Sequence, residues 1–229
     1  EPEVIATEGV LLGGDDIDRR IVRSMEKYFG AGTTFRPGMG AQELPFPSYI
    51  TSHIQDWQTL LDLATPEHAR IIEQALKTSN HSLRIRALQS LIRNNLGFSL
   101  RNEAERIKIA LSDALYGLFV FKGPHIDVSE AYTRTRLENQ LRGTVERIEG
   151  GLDRLLAQAG MPNGQIDVVL RTGGSASIPL YIRLLEERVG CALVVRGQPC
   201  RATDTGRRLC QHVDRVRLLE QGLQDTLPT

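Results

Sequence analysis

The chain has 229 residues, with 28 lysines and arginines against 28 aspartates and glutamates, so its formal net charge is zero. A balanced charge excludes a general attraction to nucleic acid or to an anionic membrane, and no apolar run approaches the roughly 18 residues that span a bilayer. Three cysteines without metal-binding spacing argue against a disulfide framework or a zinc site and favour a reducing cytoplasm. The start, EPEVIATEGV, has neither a signal-peptide pattern nor a methionine, so we expect a piece of a longer protein.

The first half of the sequence predicts one strand followed by helices. EVIATEGVLLGG is predicted as a strand or hairpin, and a helix with aspartates in its first turn is predicted from Asp15 to Gly30. The segment GAGTTFRPGMGAQELPFP has the glycine and proline content of a loop. Further helices are predicted after the start signal Thr65-Pro66-Glu67, around residues 88–92, and from about Leu100 through NEAERIKIALSDA.

The second half returns to strands. ALYGLFVF and PHIDVSEAY are strand-like, and a long amphipathic helix is predicted from about Thr133 to Ala159. The last predicted elements are the strand QIDVVLRT, the helix PLYIRLLEERVG and the strand CALVVRG. This order predicts an α/β unit, residues 1–44 and 131–229, that carries an inserted, mainly helical α+β subdomain at residues 45–130.

Two glycine turns are candidate ligand sites. Gly173, Gly174 and Ser175 follow a predicted buried strand and precede a helix with Pro179 at its start. Glycines let a ligand approach the backbone, and a helix N-terminus favours anions, although an ordinary strand-to-helix turn explains this stretch equally well. At the other turn, Gly14 precedes Asp15, and a tight turn with an aspartate cap is the simpler interpretation there.

The third candidate is one face of a predicted helix. Glu105, Lys108 and Ser112 are spaced i, i+3, i+7 and therefore share a face. The opposite face carries an apolar stripe, Ala104, Ile107 and Leu111. A carboxylate, an ammonium and a hydroxyl could bind a sugar and a base, but a solvated face with an i, i+3 ion pair has the same pattern. The scattered histidines and cysteines indicate no metal site.

Taken together, five motifs in order resemble one family. LLGGDDIDRRIV, a helical insert, EAERIKIALS, YTRTRLE and IDVVLRTGGSASIP are similar to the second lobe of the nucleotide-binding domain of DnaK-type (seventy-kilodalton heat-shock) chaperones. The long insert is most similar to short YegD-like relatives, which lack the peptide-binding domain. The resemblance covers about residues 8–197 and implies one lobe of the actin-like ATPase fold, with its ribonuclease H-like motif.

The resemblance also implies a binding site for adenine nucleotide. Gly14 matches the family's glycine beside the ribose. The family's polar helix face that meets ribose and adenine corresponds to Glu105, Lys108 and Ser112, and its nucleotide-contacting loop to Gly173, Gly174 and Ser175. We expect these residues to converge on one cleft between the two subdomains. Two departures affect adenine stacking, since Ser177 and Ile109 stand where the family often has basic residues.

The functional expectation is a fragment of a cytoplasmic DnaK-like chaperone ATPase. The full-length protein would use ATP or ADP with Mg²⁺. This chain would have no catalytic residues and hold adenosine weakly or not at all, because the family's catalytic aspartate, lysine and phosphate loops lie before its first residue. The inserted subdomain would meet a cochaperone or exchange factor, and we expect neither nucleic acid nor membrane as a partner. Two alternatives remain open: a non-catalytic protein-interaction module, and an actin-like filament-forming relative.

Overall fold

A computed structural model describes residues 4–161, 166, 169, 171 and 174–189 of the chain. The described residues belong to two compact units, one containing residues 11–146 and the other containing residues 4–10 and the described residues from 147 to 189. The predicted subdomain boundaries near residues 44 and 131 stay a prediction. Among the described residues, no helix is both long enough and apolar enough to cross a membrane.

The larger unit, residues 11–146, is mainly helical and contains two small antiparallel hairpins. Its α-helices are α1 (Gly14–Arg23), α2 (Ser48–Ser52), α3 (Pro66–Thr78), α4 (Ser82–Arg93), α5 (Gly97–Asp113) and the first part of α6 (Arg134–Ala159). Its strands are β1 (Thr34–Phe35), β2 (Leu44–Pro45), β3 (Tyr116–Gly123) and β4 (Ile126–Thr133). Short 3₁₀ helices span Glu26–Tyr28, His53–Gln55 and Thr59–Ala64.

The first predicted helix is confirmed as α1, although it is shorter than expected. The backbone N–H of Gly13 donates to Asp16 Oδ2 at 2.7 Å, and acidic side chains occupy the first turn, where they suit the helix dipole. Ile17 and Ile21 are buried on one face. The helix ends at Arg23, before the 3₁₀ turn that leads to Gly30, which has a φ of +99° and so takes a conformation that glycine adopts readily.

The other predicted helices and the predicted strand pair are also present. Thr65 caps α3, since its side chain accepts from the backbone N–H of His68, and Pro66 occupies the first turn. The strands β3 and β4 pair along their whole length, from Tyr116 opposite Thr133 to Gly123 opposite Ile126. Alternate residues of this hairpin are buried, as expected when only one face packs on a core. The inward face packs on α5 and α4.

Two local predictions are wrong. Residues 4–13 form no strand. Instead, Arg154 of α6 donates to Glu8 at 2.8 Å, and Val10 lies where a side chain at position 151 would stand, so Gly151 makes room for this segment. The predicted loop after Gly30 contains the short β1–β2 pair. Apolar alternation favoured a strand, but a strand also needs a partner to satisfy its backbone, and residues 4–13 pair with none in the described part of the chain.

The smaller unit contains residues 4–10, the second part of α6, a 3₁₀ turn at Gly174–Ser177 and a helix, α7 (Pro179–Val189). The predicted helix PLYIRLLEERVG is confirmed by α7, which buries Tyr181, Leu184 and Val189. Its Arg188 forms ion pairs with Glu149 and Asp153 of α6. Most residues of the predicted strand QIDVVLRT, and all of CALVVRG, lie outside the described residues.

Candidate functional site

The candidate helix face lies where α5 packs against α1. The apolar stripe predicted for α5 is buried, with Ala104, Ile107 and Leu111 almost fully covered. This packing places the turn before α1 beside the middle of α5, so Gly14 and Lys108 are in contact although they are 94 residues apart. Two of the candidate groups chosen separately from the sequence therefore meet within the larger unit.

Lys108 is not the solvated side chain that its spacing suggested. It is 8% exposed, and its ammonium nitrogen lies 2.7 Å from Oδ1 of Asp18. The same ammonium donates to the carbonyl oxygen of Gly14 at 3.4 Å. A buried lysine charge requires such partners. The cation therefore lies at the α1–α5 contact, in direct reach of the Gly14 backbone.

Asp18 is the partner that makes this arrangement possible, and it is 1% exposed. Burial raises the pKa of its carboxyl group, although the hydrogen bond and charge of Lys108 and the charge of Arg101 oppose that shift. From the sequence, the α1 aspartates were predicted only to cap the helix and to suit its dipole. The missed signal was position: Asp18 stands four and seven residues before Val22 and Met25, which are buried, so its side chain falls on the inward stripe.

Glu105 is held by a second cation that sequence reasoning also missed. Arg101 lies one turn before Glu105 on α5, and its Nη1 donates to Glu105 Oε2 at 3.1 Å. Its Nη2 donates to Asp15 Oδ1 at 2.7 Å and lies 3.8 Å from Asp18 Oδ2. The hydrogen bond from Arg101 lowers the pKa of Asp15. Arg101 therefore links the first turn of α1 to the carboxylate of the candidate face.

Ser112 lies at the end of the same helix and bonds within it. Its hydroxyl donates to the backbone carbonyl of Lys108 at 3.4 Å. Arg134 donates to the carbonyl oxygens of Leu111 and Ser112 at 2.8 and 3.1 Å and so satisfies the end of α5. Ile109, one of the two departures from the family pattern, is exposed beside this face.

The glycine loop belongs to the smaller unit. Gly174 and Ser175 begin a 3₁₀ turn, and Arg171 donates to the carbonyl oxygen of Ala176 at 2.5 Å. A side chain built at Gly174 would meet no atom of the described residues within 4 Å, so no group among them requires a glycine there. Gly173 lies outside the described residues. The predicted convergence of this loop with Lys108 in one cleft stays a prediction.

A small polar pocket adjoins the α1–α5 contact. Its volume is about 60 Å³, which is room for one or two water molecules. It is lined by Asp15, Asp18, Arg19, Gln55, Asp56, Trp57, Gln58 and Arg101. No group of three or more histidine, cysteine or acidic side chains able to hold a metal ion occurs among the described residues.

The arrangement offers donors and acceptors to a polar ligand. The buried ammonium, the Glu105 carboxylate and the Ser112 hydroxyl follow one face of α5, with the Gly14 backbone beside them. This set suits the hydroxyl groups of a sugar, since an ammonium donates and a carboxylate accepts. The exposed Gly174 backbone offers a ligand close approach without a side chain in the way.

Comparison with known proteins gives two kinds of match. The family model described as Hsp70 protein matches residues 80–200, just over half of the chain. The chaperone protein DnaK of Thermoplasma acidophilum is 29% identical over 137 residues, which cover 56% of this chain and 22% of that protein.

The second match is shorter. The HTH-type transcriptional regulator ArgP of Pseudomonas fluorescens (strain Pf0-1) is 51% identical over 53 residues, or 23% of this chain and 18% of that protein. ArgP of Pseudomonas aeruginosa (strain UCBPP-PA14) is 49% identical over 53 residues, with the same shares. The chain thus spans about a fifth of the length of these curated relatives.

Proposed function

The chain belongs to the Hsp70 family, and on that premise we propose that it forms the adenine-nucleotide-binding lobe of a DnaK-like chaperone ATPase. In this proposal the lobe is not catalytically complete by itself and acts in the cytoplasm. It has the actin-like ATPase fold, with residues 45–130 as the inserted subdomain. The nucleotide is ATP or ADP, bound with Mg²⁺ in the full-length protein.

One contact carries the proposal most directly, and it joins Lys108 to Gly14. The resemblance assigned both residues to the ribose side of a nucleotide, from motifs far apart in the sequence, and the structure brings them within 3.4 Å. Glu105 and Ser112 follow the same helix face. In the proposal the ammonium and the carboxylate bind the ribose hydroxyls, while Gly173, Gly174 and Ser175 give the phosphate and adenosine an unobstructed backbone.

The residues present also fit Mg²⁺ bound through the nucleotide. This ion prefers octahedral oxygen ligands and commonly keeps several waters while bridging phosphate groups, so it does not require a cage of protein carboxylates. The part of the chain that the structure describes offers no such cage. Mg²⁺ is therefore proposed to bind through the phosphates of the nucleotide and not directly to carboxylates of the described residues.

Titration of the purified chain with ADP and with adenosine tests the proposal. A ligand that binds only the folded chain stabilises it by mass action, by about 2.7 kcal/mol at one hundred times its dissociation constant. The loss of basic groups at Ser177 and Ile109 predicts weak binding, so calorimetry at high ligand concentration should accompany the thermal melts. No heat and no melting shift with either ligand would contradict the proposal.

A pair of glycine substitutions makes the test specific. In Gly174→Val the new side chain meets open space in the free protein, so stability should change by no more than about 0.5 kcal/mol, while the ADP-induced shift is lost. Gly38→Val is the matched control, because a side chain at Gly38 also meets nothing within 4 Å. It should leave the ADP-induced shift unchanged. Equal loss of ADP binding in both variants would contradict a specific contact between the glycine loop and the nucleotide.

A second candidate function, protein binding by the inserted subdomain, is favoured by the outer face of the hairpin. Tyr116, Leu118 and Val120 alternate along β3 and are 73%, 53% and 37% exposed. A row of exposed apolar side chains on one strand is typical of an interaction surface. In this proposal a cochaperone or nucleotide-exchange factor covers the row. Leu118→Asp should then abolish binding to such a factor and leave the ADP-induced shift intact, and unchanged binding would reject this surface.

A further inference from the structure

Asp18 is a buried carboxylate for which the proposed nucleotide contacts have no direct use. It lies on the inward side of α1, beside Ile17 and close to Ile21, and these side chains are fully covered. Its Oδ1 is 2.7 Å from the Lys108 ammonium. The buried position fixes where the negative charge stands, because a short side chain on a packed helix has little freedom to move.

Lys108, in contrast, has a long flexible side chain, and both hydration and side-chain entropy oppose its burial at this contact. A lysine near a surface normally extends its ammonium into water, and ordering its side chain opposes folding. Here the ammonium stays beneath the surface, where it donates to Gly14 and pairs with Asp18. The Gly14 carbonyl at 3.4 Å is too weak an acceptor to hold a charge there without the carboxylate.

Arg101 does not take this role. Its Nη2 lies 3.8 Å from Asp18, beyond hydrogen-bond distance, and its hydrogen bonds go to Asp15 and Glu105 instead. Arg101 and Asp18 therefore have separate roles at this contact. Arg101 holds the carboxylate of the candidate face, and Asp18 holds its ammonium.

We propose that Asp18 is a positioning residue that fixes the ammonium of Lys108 at the Gly14 carbonyl, so that a free N–H of Lys108 is directed to ligand. Its role in binding rests on the proposed function, whereas the fixing of the ammonium does not. An ammonium has three donors; one is directed to the Gly14 carbonyl, and the charge is paired with Asp18 Oδ1 at 2.7 Å. Asparagine at position 18 keeps the shape but not the charge, and it should release the lysine.

Amine labelling followed by mass spectrometry measures this release directly. The chain has four lysines, namely Lys27, Lys77, Lys108 and Lys122. Lys122, whose side chain is 67% exposed, is the internal reference. In the wild type Lys108 should label far more slowly than Lys122. In Asp18→Asn the ratio should rise about tenfold, as expected when a hydrogen bond to a charged group is lost, and Asp18→Glu, which keeps the carboxylate, should restore part of the protection.

Two controls separate positioning from general destabilisation. Ile21→Ala lies on the same helix and removes fully buried apolar atoms while leaving Asp18 and Lys108 in place, so it should lower stability with Lys108 still protected. Arg101→Gln should also leave Lys108 protected. If Lys108 labels equally in the wild type and Asp18→Asn, or if Ile21→Ala releases it just as much, the proposal is wrong. If Asp18→Asn does not fold, the comparison of Asp18→Glu with Ile21→Ala decides in the same way.

Titration with ADP distinguishes this proposal from the proposed function. Folded Asp18→Asn should bind ADP at least tenfold more weakly than the wild type, since its ammonium is no longer directed to ligand. Unchanged affinity would overturn the positioning role. If the wild type binds no ADP but Lys108 labelling still depends selectively on Asp18, the proposed function fails while the fixing of the ammonium by Asp18 is supported.

Discussion

Asp18 at the α1–α5 contact and Glu130 in the middle of β4 each lie among cations, with opposite electrostatic results. At the α1–α5 contact, Asp18 faces Lys108 and Arg101 and is nearly inaccessible to solvent. In the middle of β4, Glu130 accepts from Lys27 at 2.9 Å, Tyr28 at 2.6 Å and Arg136 at 2.5 Å. Burial raises the pKa of Asp18, whereas the pKa of Glu130 falls to about 2.

The difference shows that the number of cations nearby does not decide which form of a carboxyl group is favoured. Burial pushes the pKa of Glu130 upward as well, but three hydrogen bonds to its charged form outweigh burial there. Asp18 has only one close ammonium, and this does not outweigh the nearly complete loss of hydration of its carboxylate. Removal of one partner of the Asp18–Lys108 pair should therefore be strongly destabilising. The interactions of Glu130, in contrast, should stabilise the fold by an amount that depends on pH.

The largest effect should come from Lys108→Met. Methionine keeps the apolar stem and removes the charge, so Asp18 is left buried without its close ammonium and with only Arg101 at 3.8 Å, at a cost of about 3–5 kcal/mol in the free energy of unfolding. Urea denaturation near neutral pH measures this cost. Adding Asp18→Asn to the variant should recover part of the loss, because the uncompensated charge is then gone. A loss of less than about 1 kcal/mol would mean that the pair behaves like a surface ion pair.

The second-largest effect should be a loss of folding stability at low pH when Glu130 is protonated. Its folded pKa lies below the usual 4.5, so the unfolded chain takes up the proton more readily, and the stabilisation present above about pH 4.5 is lost as the pH falls toward 2. Glu130→Gln should lower stability by about 1–2 kcal/mol near neutral pH, because Lys27 is half exposed and its share is screened. Urea midpoints of both proteins should converge near pH 2. A constant difference across that range would contradict the assignment.

A smaller effect is expected from Arg101→Gln. Arg101 is partly exposed, and its partners Asp15 and Glu105 are more exposed than it is. Such pairs contribute about 0.2–1 kcal/mol each, so the variant should lose roughly 1 kcal/mol in urea denaturation. Most of this loss should disappear at high salt, which screens exposed charges. A salt-independent loss as large as that of Lys108→Met would show that Arg101, too, compensates Asp18.

The smallest effect should be that of Lys122→Gln on the hairpin. Lys122 lies 3.4 Å from Asp127, and both side chains are mostly in water. The free energy of unfolding should change by less than about 0.5 kcal/mol. The same denaturation measurement provides the reference for the series. A larger loss would show that exposure is a poor guide to the strength of ion pairs in this protein.

Sequence patterns predicted the helices and the hairpin well because one face of each packs on a core. The apolar stripe of α5 and the alternation of β3 and β4 are visible as periods of 3.6 and 2 residues. The start signal at Thr65 and Pro66 is equally local. Residues 4–13 form no strand because they have no partner strand among the described residues, and local alternation cannot show whether a partner is present. The contact of Gly151 with Val10 joins positions far apart in the chain.

The sequence by itself determined the family, the helix face with Glu105, Lys108 and Ser112, and the glycine turn at Gly14, because spacing and motif order are local properties of the chain. Only the tertiary structure decided that Lys108 is buried and that Asp18 and Arg101 support the face. Charged residues at helical spacing look alike whether they face water or a neighbouring helix. Burial depends on which helix packs against them, and that choice is made by apolar contacts between α1 and α5, which are far apart in the chain.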